Sequence, residues 1–472
     1  MNKCFQIVFL LLVFCMMSVL LCGCGRRSSE KQRYEVVNGQ VVDNFMNAGD
    51  DVIFTGSDSE KVTAADAGSM DISAVNEGVA FSAGAGSSPE RETQTGALIE
   101  KLKLQLSAAC DAVKDIYMAA DKGSSLNVTI SADTVASMLS AVGGAGYSVT
   151  DSIGDFNMQA CEAMHDFGQR ISLSQDNISG TYFIVYPDGH LSGFMLSRES
   201  GIWHLYSASA AWNDDGSYRI YSEGRYAVGE VRYTDKGWLI YSRDTSDYSE
   251  DRKVQADNWV MVRVLPYDAE KRDLCRRYVE PVGYLENNLF VTDWDERNMG
   301  PIDFNSLYAY VFALYNGTDM LSSYNVRKYY KAVQGTKLYL VPADIFENNT
   351  TVYFNIDRAA LKNISDYNAS LDGYFFVGYN RDYYNVPPKT PSPEVVSCTY
   401  NSDGTITMVV DAVNTWYGTD RAFRHELTVR PSDGPGFRYV SNHLIPDENN
   451  IIPKQKLCDI LDVELTKTTL NG

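Results

Sequence analysis

The side chains most able to do chemistry are few, and their spacing limits what they can do. Five histidines stand at His165, His190, His204, His425 and His443. A zinc hydrolase helix carries two histidines one turn apart with a glutamate between them, and His425-Glu426 has no second histidine. His204 and His425 fall inside strand-like patterns, which predicts structural roles for both. No Gly-x-Ser-x-Gly elbow presents a serine nucleophile. Asp293-Trp-Asp295-Glu-Arg-Asn298 sets oxygen ligands at alternate positions, as calcium loops do. Its sixth position is not glycine, no glutamate closes it and Arg297 intrudes, so a solvated loop is expected. Gly143-Gly-Ala-Gly146 follows a helical pattern instead of opening one and lacks the Lys-Ser/Thr tail of a phosphate loop. Paired carboxylates suited to glycoside hydrolysis are common in so acidic a chain and discriminate nothing. These patterns predict no catalytic residue, no metal site and no cofactor.

Aromatic rings offer another chemistry, since their faces suit the apolar face of a sugar and tyrosine adds a hydrogen-bonding tip. The chain holds 31 Tyr, 19 Phe and 6 Trp. Trp203, Trp212, Tyr221 and Tyr226 fall in one run of strand patterns, where an exposed row would make a ligand platform. Cross-strand packing alone also concentrates aromatics in a β-rich region.

The most specific local signal is Leu21-Cys22-Gly23-Cys24. Lys3 gives a short positive start and Ile7–Leu21 an apolar core of 15 residues, broken only by Ser18. That is an export signal in layout, shorter than the roughly 20 residues of a spanning helix. Arg26 and Arg27 follow, as a stop-transfer flank would, but Gly-Cys at the end of the core and polar sequence beyond it favour cleavage. The pattern resembles a bacterial lipobox, with cleavage after Gly23 and acylation of the Cys24 thiol. The expected location is the outer face of the bacterial cell membrane, held by a lipid anchor.

A formal charge of −20 argues against nucleic acid and anionic bilayer surfaces as partners. Cell-wall glycan or a protein partner fits better. Of nine cysteines, Cys4, Cys15 and Cys22 go with the signal and Cys24 takes lipid. Cys110, Cys161, Cys275, Cys398 and Cys458 are left, an odd number without CxxC or Cys/His spacing. Buried free thiols are expected, with at most two bridges.

Residues 1–23 therefore read as signal. Residues 24–95, rich in Ser, Ala, Gly, Asp and Glu, read as lipidated cysteine and flexible tether. Residues 96–265 read as a helical unit followed by an antiparallel meander. A helix is expected over Gly96–Lys122, capped by Gly123. A second begins after an N-cap at Ser131 and stops at Gly143-Gly144, followed by a strand over Tyr147–Val149 and a helix over Asn157–Phe167. Period-two strands follow at Thr181–Tyr186, Leu191–Ser197, Ile202–Trp212, Tyr218–Tyr226, Gly229–Thr234, Trp238–Arg243 and Trp259–Leu265. Their turns are Pro187-Asp-Gly189, Asn213-Asp-Asp-Gly216 and Asp235-Lys-Gly237.

Residues 266–472 read as a second α+β part. Helices are expected at Ala269–Tyr278, Phe304–Tyr315, after Pro342 and near Asp357–Ile364, with strands at Leu289–Thr292 and Lys337–Val341. After a loop over 366–393, a closing meander runs Glu394–Tyr400, Thr405–Val413, Ala422–Arg430 and Phe437–Asn442. The fold class expected is α+β, antiparallel β-meanders with packed helices, in two folded parts behind a lipobox signal and a tether.

The lipobox, Asn127-Val-Thr-Ile-Ser through Gly146-Tyr-Ser-Val149, Leu340-Val-Pro-Ala-Asp344 and Gly436-Phe-Arg-Tyr-Val-Ser-Asn442 together resemble a family of uncharacterised lipoproteins of Gram-positive gut bacteria. The resemblance covers nearly the whole mature chain and implies no catalytic residue. The function expected is a non-enzymatic binding or structural surface protein. The alternative is a secreted hydrolase of cell-wall or dietary glycan whose site is assembled from distant residues.

Overall fold

The computed structural model describes residues 89–124, 127–243, 259–318, 320, 330–333, 338–377, 389–432 and 436–454. Gly23, Cys24, the spacer up to residue 88 and Cys458 lie outside the described residues, and among those described no helix is long and apolar enough to cross a membrane. The architecture is the expected α+β class, with antiparallel sheets one of which curls into a half-barrel.

The long helix α1 spans Pro89–Ala119, and its stripe of Leu102, Leu106, Ala109, Cys110 and Val113 is buried. It stops short of Gly123, which instead opens a small hairpin of β1 (Gly123–Ser124) and β2 (Asn127–Val128). Helix α2 (Ala132–Gly144) starts where the sequence places it, with Ser131 Oγ accepting the Thr134 N–H. The helix ends at Gly144, as Gly143-Gly144 foretells, and the chain turns at Gly146, with φ +87°. Gly143 is needed for a close approach, since a Cβ there would lie 2.6 Å from Gln159 Cβ. β3 (Val149–Asp151) follows, then α3 (Glu162–Ser172), five residues later than the pattern indicates. Asn157 and Gln159 hold the intervening chain extended: Asn157 bonds the Tyr267 backbone in both directions, and Gln159 bridges to Val149.

The meander is β4 (Ile178–Val185), β5 (Leu191–Glu199), β6 (Ile202–Trp212), β7 (Tyr218–Tyr233), β8 (Trp238–Arg243) and β9 (Trp259–Arg263) in sequential antiparallel order, with β3 parallel outside β4. Tyr218–Tyr226 and Gly229–Thr234 are one strand, bent by an irregularity between Val228 and Val231. Gly189, Gly216 and Gly237 take positive φ at the hairpin turns, as the turn residues require. The Tyr182 and Tyr241 hydroxyls meet at 2.7 Å although three strands lie between β4 and β8, so the sheet has curled over itself. Alternation along each strand then serves two cores. Phe183, Leu191, Met195, Tyr206 and Ala208 face α1 and α2 on the convex side. Tyr182, Phe194, Leu196, Leu205 and Leu239 face α3 on the concave side, with Phe167 pressed onto Gly180.

Beyond residue 265 the chain forms α4 (Ala269–Leu274), which continues as a π-helical turn over Cys275–Val279, then β10 (Trp294–Asp295) and α5 (Phe304–Asn316). Leu289–Thr292 is a turn, not a strand; Trp294 Nε1 donates to the Leu289 carbonyl at 2.7 Å and ties it down. β11 (Lys331–Ala332), β12 (Leu338–Pro342), α6 (Ala343–Tyr353) and α7 (Arg358–Ile364) follow. The stretch read as a loop over 366–393 contains β13 (Tyr367–Asn368) and β14 (Gly373–Val377), which pair with each other while β14 also pairs with β12. Residues 378–388 of that loop lie outside the described residues. The closing meander is β15 (Ser392–Tyr400), β16 (Ile406–Asn414), β17 (Thr419–Pro431) and β18 (Phe437–Ile445), four strands where the sequence places four. These elements make a five-stranded and a four-stranded sheet around one aromatic core with α5 and α6.

The half-barrel meets this second part through the outer faces of β8 and β9. Ile240 and Met261, flanked by Trp238 and Trp259, pack on Val413. Beside them Lys236 Nζ lies 2.9 Å from Asp411 and 3.5 Å from Glu394, and Arg263 Nη1 lies 2.5 Å from Glu394. Trp238 Nε1 donates to Glu394 at 3.0 Å, and Arg424 grips Asp411 at 2.6 and 3.0 Å. Every carboxylate oxygen of Asp411 and Glu394 thus has a donor.

Candidate functional site

The four aromatics singled out in the sequence part company. Even-numbered residues of β6 face the convex side, so Trp212 stacks on Tyr117 of α1 at 4.7 Å and joins the convex core. Odd-numbered Trp203 lies on the concave side, edge-on to Phe167 at 6.1 Å, and Tyr226 packs into the same core. Tyr221, at the irregularity opposite Ser209 and Ala210, is the one left prominent, 46% exposed. Three of the four share a face, and only Tyr221 offers its ring to solvent.

What surrounds Tyr221 is the best-formed polar cluster of the half-barrel. It lies where the β4–β5 hairpin closes the concave face. Tyr186, Pro187, Asp188, Gly189 and His190 form the turn, with the Gly189 N–H donating to the Tyr186 carbonyl at 2.8 Å. Gly189 has φ +83°, and a Cβ there would lie 2.4 Å from the Tyr117 ring, so only glycine fits. Trp212 Nε1 donates to the Gly189 carbonyl at 2.8 Å from the convex side. Trp212 therefore acts as a clamp on this hairpin, not as part of a platform.

On the concave side, Asp188 Oδ1 lies 2.5 Å from His190 Nδ1 and also accepts the His190 backbone N–H. Partial burial pushes the Asp188 carboxyl up, but the His190 hydrogen bond and charge outweigh it and hold it below the usual range. His190 Nε2, on the far side of the ring from Asp188, is buried without a hydrogen-bond partner among the described residues. The His190 ring stacks on Tyr186 at 3.8 Å, 11° from parallel. Tyr186 is 6% exposed, and its buried Oη makes no closer contact than a long hydrogen bond with the Ser192 hydroxyl. Burial raises its phenol pKa and the Ser192 hydrogen bond lowers it, so the phenol stays protonated, able to donate and to accept. Ser192 and Ser209, paired across β5 and β6, join their hydroxyls at 2.8 Å beneath it. Tyr221 reaches this group: burial raises its phenol pKa, the Ser209 hydroxyl lowers it, and the Asp188 charge raises it again.

Three of the other four histidines have partners within the fold, and His443 is exposed. His425 is fully buried, with Nδ1 2.6 Å from Asn442 Oδ1 and Nε2 2.9 Å from Tyr284 Oη, and burial brings its pKa down to about 4. His204 Nε2 meets Arg225 at 2.9 Å and His165 Nδ1 meets Tyr233 Oη at 2.9 Å. Asp293 and Asp295 accept backbone N–H groups of Leu444, Arg297 and Asn298, which makes their loop a hydrogen-bonded turn. Among the described residues no group of His, Cys, Asp or Glu is arranged to hold a metal. Cys110, Cys161, Cys275 and Cys398 are free, and burial pushes the Cys110 thiol up to about 12.

A groove of about 400 Å³ lies between the 155–159 segment and α4. Its two arginines are already engaged: Arg272 holds the carbonyls of Gly154 and Asp155 and the Asn157 side chain, and Arg276 pairs with Asp155 at 2.8 Å. It braces the two parts of the molecule.

Sequence reasoning missed Tyr186, Asp188, His190, Ser192 and Ser209. Asp188-Gly-His190 was visible as a turn, and an acid and an imidazole two residues apart in a tight hairpin was the usable signal. No curated protein and no solved structure matches the chain. Residues 99–456, which include the whole half-barrel and this hairpin, match the Family of unknown function (DUF6070), and the chain belongs to that family.

Proposed function

We propose that this protein is a lipid-anchored lipoprotein on the outer face of the bacterial cell membrane, and that it binds its ligand without converting it. The Leu21-Cys22-Gly23-Cys24 motif supports the anchor, and the polar spacer after it supports a folded part held away from the membrane. The observation that carries the binding reading is the rim of the half-barrel, where exposed Tyr221 stands beside the Tyr186, Asp188 and His190 side chains and His190 Nε2 has no hydrogen-bond partner in the fold. Wall glycan or a surface protein is the partner class that suits an acidic chain in that location.

The Asp188–His190 contact favours a second reading, since an acid holding one imidazole nitrogen is the base-orienting half of a nucleophile system. Such a hydrolase needs a hydroxyl at Nε2, and the nearby Ser192 and Ser209 hydroxyls bond each other instead. Two measurements separate these readings. Cys24→Ala leaves an unprocessed precursor that takes up no labelled fatty acid; a variant that still matures and is acylated places the anchor elsewhere. The full chain incubated with isolated cell walls co-sediments without releasing reducing ends if it only binds. Release of reducing ends that disappears in His190→Ala establishes the hydrolase.

A further inference from the structure

We propose that the groove between the 155–159 segment and α4 is a second binding site, which takes a zwitterion of amino-acid or dipeptide size. The ligand's carboxylate lies on Arg276, its ammonium on Asp273 and its apolar body against Phe156 and Tyr267. The site is separate from the rim of the half-barrel and does not rest on it.

The bracing contacts account for only part of what lines this groove. Arg272 is occupied by the Gly154 and Asp155 carbonyls and the Asn157 side chain. Arg276 uses Nη2 alone, on Asp155. Its Nε and Nη1 have no partner among the described residues, and its side chain is 46% exposed. Asp273 is exposed, and its carboxylate has no hydrogen bond or ion pair among the described residues. Asp273 and Arg276 stand three residues apart, a spacing at which opposite charges commonly pair along a helix. Both line the groove, yet they do not pair with each other. Gln159 donates from Nε2 to the Asn157 carbonyl at 3.2 Å, and its Oε1 has no donor among the described residues.

A space of about 400 Å³ at the boundary of two folded parts is the kind of place that holds a small ligand. Two acids, Asp155 and Asp273, and two bases, Arg272 and Arg276, line it, so the groove is neutral in a chain of formal charge −20. A simple anion on Arg276 would face the Asp273 carboxylate unpaired, and a simple cation on Asp273 would face Arg276. A zwitterion meets both with charge-assisted hydrogen bonds. Phe156 and Tyr267 add an apolar surface for its side chain. The walls are set before any ligand arrives. Buried Asp151 accepts the Asp155 and Phe156 N–H groups at 2.9 and 3.0 Å, and Asn157 bonds the Tyr267 backbone in both directions. Tyr267 Oη accepts the Val395 N–H at 2.8 Å, which fixes the ring from the second part of the molecule.

The test is calorimetric titration of the detergent-solubilised full chain with two zwitterions, phenylalanine and alanyl-phenylalanine. Two blocked dipeptides run beside them: the N-acetyl form, which lacks the ammonium, and the C-terminal amide, which lacks the carboxylate. At least one zwitterion is expected to bind, with each blocked form at least about tenfold weaker, the effect of one lost charge-assisted hydrogen bond. Asp273→Asn weakens the zwitterion about tenfold and leaves the N-acetyl form bound no less tightly than by the parent. Arg276→Gln does the same with the amide. Asp273 holds nothing in the fold, so its variant should keep the parent's thermal midpoint, which separates lost binding from lost structure. No binding of either zwitterion, or blocked forms bound as tightly as the free dipeptide, overturns the groove site. Zwitterion binding that Asp273→Asn leaves unchanged overturns it too. Co-sedimentation of the parent with cell walls reports on the binding reading and not on the groove, so either can fail without the other.

Discussion

The junction between the two parts and the rim of the half-barrel are both polar and partly buried, yet they are completed in opposite ways. At the junction, Asp411 and Glu394 lie almost wholly buried among Lys236, Arg263, Arg424 and Trp238, and each carboxylate oxygen has a donor. At the rim, Asp188 and His190 hold each other, while His190 Nε2 has no partner in the fold and Tyr186 Oη has at most a long hydrogen bond to Ser192. An orphaned buried polar atom costs about 1–3 kcal/mol, so a fold that only had to be stable would gain by filling or removing it. The first arrangement is that of a structural joint. The second is that of a place left for something else.

The largest effect expected from this contrast is at the joint. Asp411→Ala strands Lys236 and Arg424 against the packed outer faces of β8 and β16, and we expect a loss of about 3 kcal/mol in unfolding free energy by denaturant titration. Burial pushes the Asp411 carboxyl up, but Arg424 and Lys236 outweigh it and hold it below its usual value. A depressed carboxylate contributes stability that is present above its unfolded pKa and is lost as pH falls through the folded value. Unfolding free energy measured below about pH 4 should therefore fall in the parent and fall less in Asp411→Asn. A flat acid limb in the parent would break the joint reading.

His425 supplies the next effect, because it is the satisfied counterpart of His190. Its pKa is brought down from 6.5 to about 4 by burial, with the Asn442 hydrogen bond opposing. The unfolded chain then binds the proton first as pH drops, so stability declines between about pH 6.5 and 4, by about 3 kcal/mol at the lower end. Stability measured across that window should lose this slope in His425→Gln. A slope unchanged by the substitution would mean that another group sets it.

Gly189→Ala joins the two regions of the argument, since it alters the rim through its support. The new Cβ would meet the Tyr117 ring in a backbone conformation that alanine disfavours, at a cost of about 2 kcal/mol in midpoint-derived stability. Crystallography or amide shifts should show the Asp188–His190 turn displaced.

The difference in legibility between the two parts of the rim has a physical origin. Turn chemistry is local, so Pro187-Asp-Gly189, Asn213-Asp-Asp-Gly216 and the Ser131 cap could be read directly. The burial of Tyr182 against Tyr241 depends on the sheet curling, which no period-two pattern encodes. Tyr221 reaches Ser209 only because an irregularity in β7 shifts the pairing between Ser209 and Ala210. Alternation alone was enough to separate Trp203 from Trp212, nine residues apart on one strand, onto opposite faces. The β14 strand lay in a stretch read as loop because Tyr, Asn and Pro around it mask its short apolar run.

The smallest effect is the sharpest test of the contrast. Tyr186→Phe removes one oxygen whose nearest polar group is the Ser192 hydroxyl and leaves the ring stacked on His190. At a satisfied site, such as Tyr284 against His425, the same change breaks a 2.9 Å hydrogen bond inside the core and should cost about 1 kcal/mol or more. At the rim at most a long hydrogen bond to Ser192 is lost while a desolvated hydroxyl is removed, so stability should stay within about 0.5 kcal/mol of the parent or rise. Paired denaturant titrations of Tyr186→Phe and Tyr284→Phe measure this directly. If both lose the same stability, the Tyr186 hydroxyl has a partner within the fold and the rim is a second structural joint. If only Tyr284→Phe loses stability, the oxygen at Tyr186 contributes nothing to folding, and its presence at the end of the half-barrel calls for a ligand.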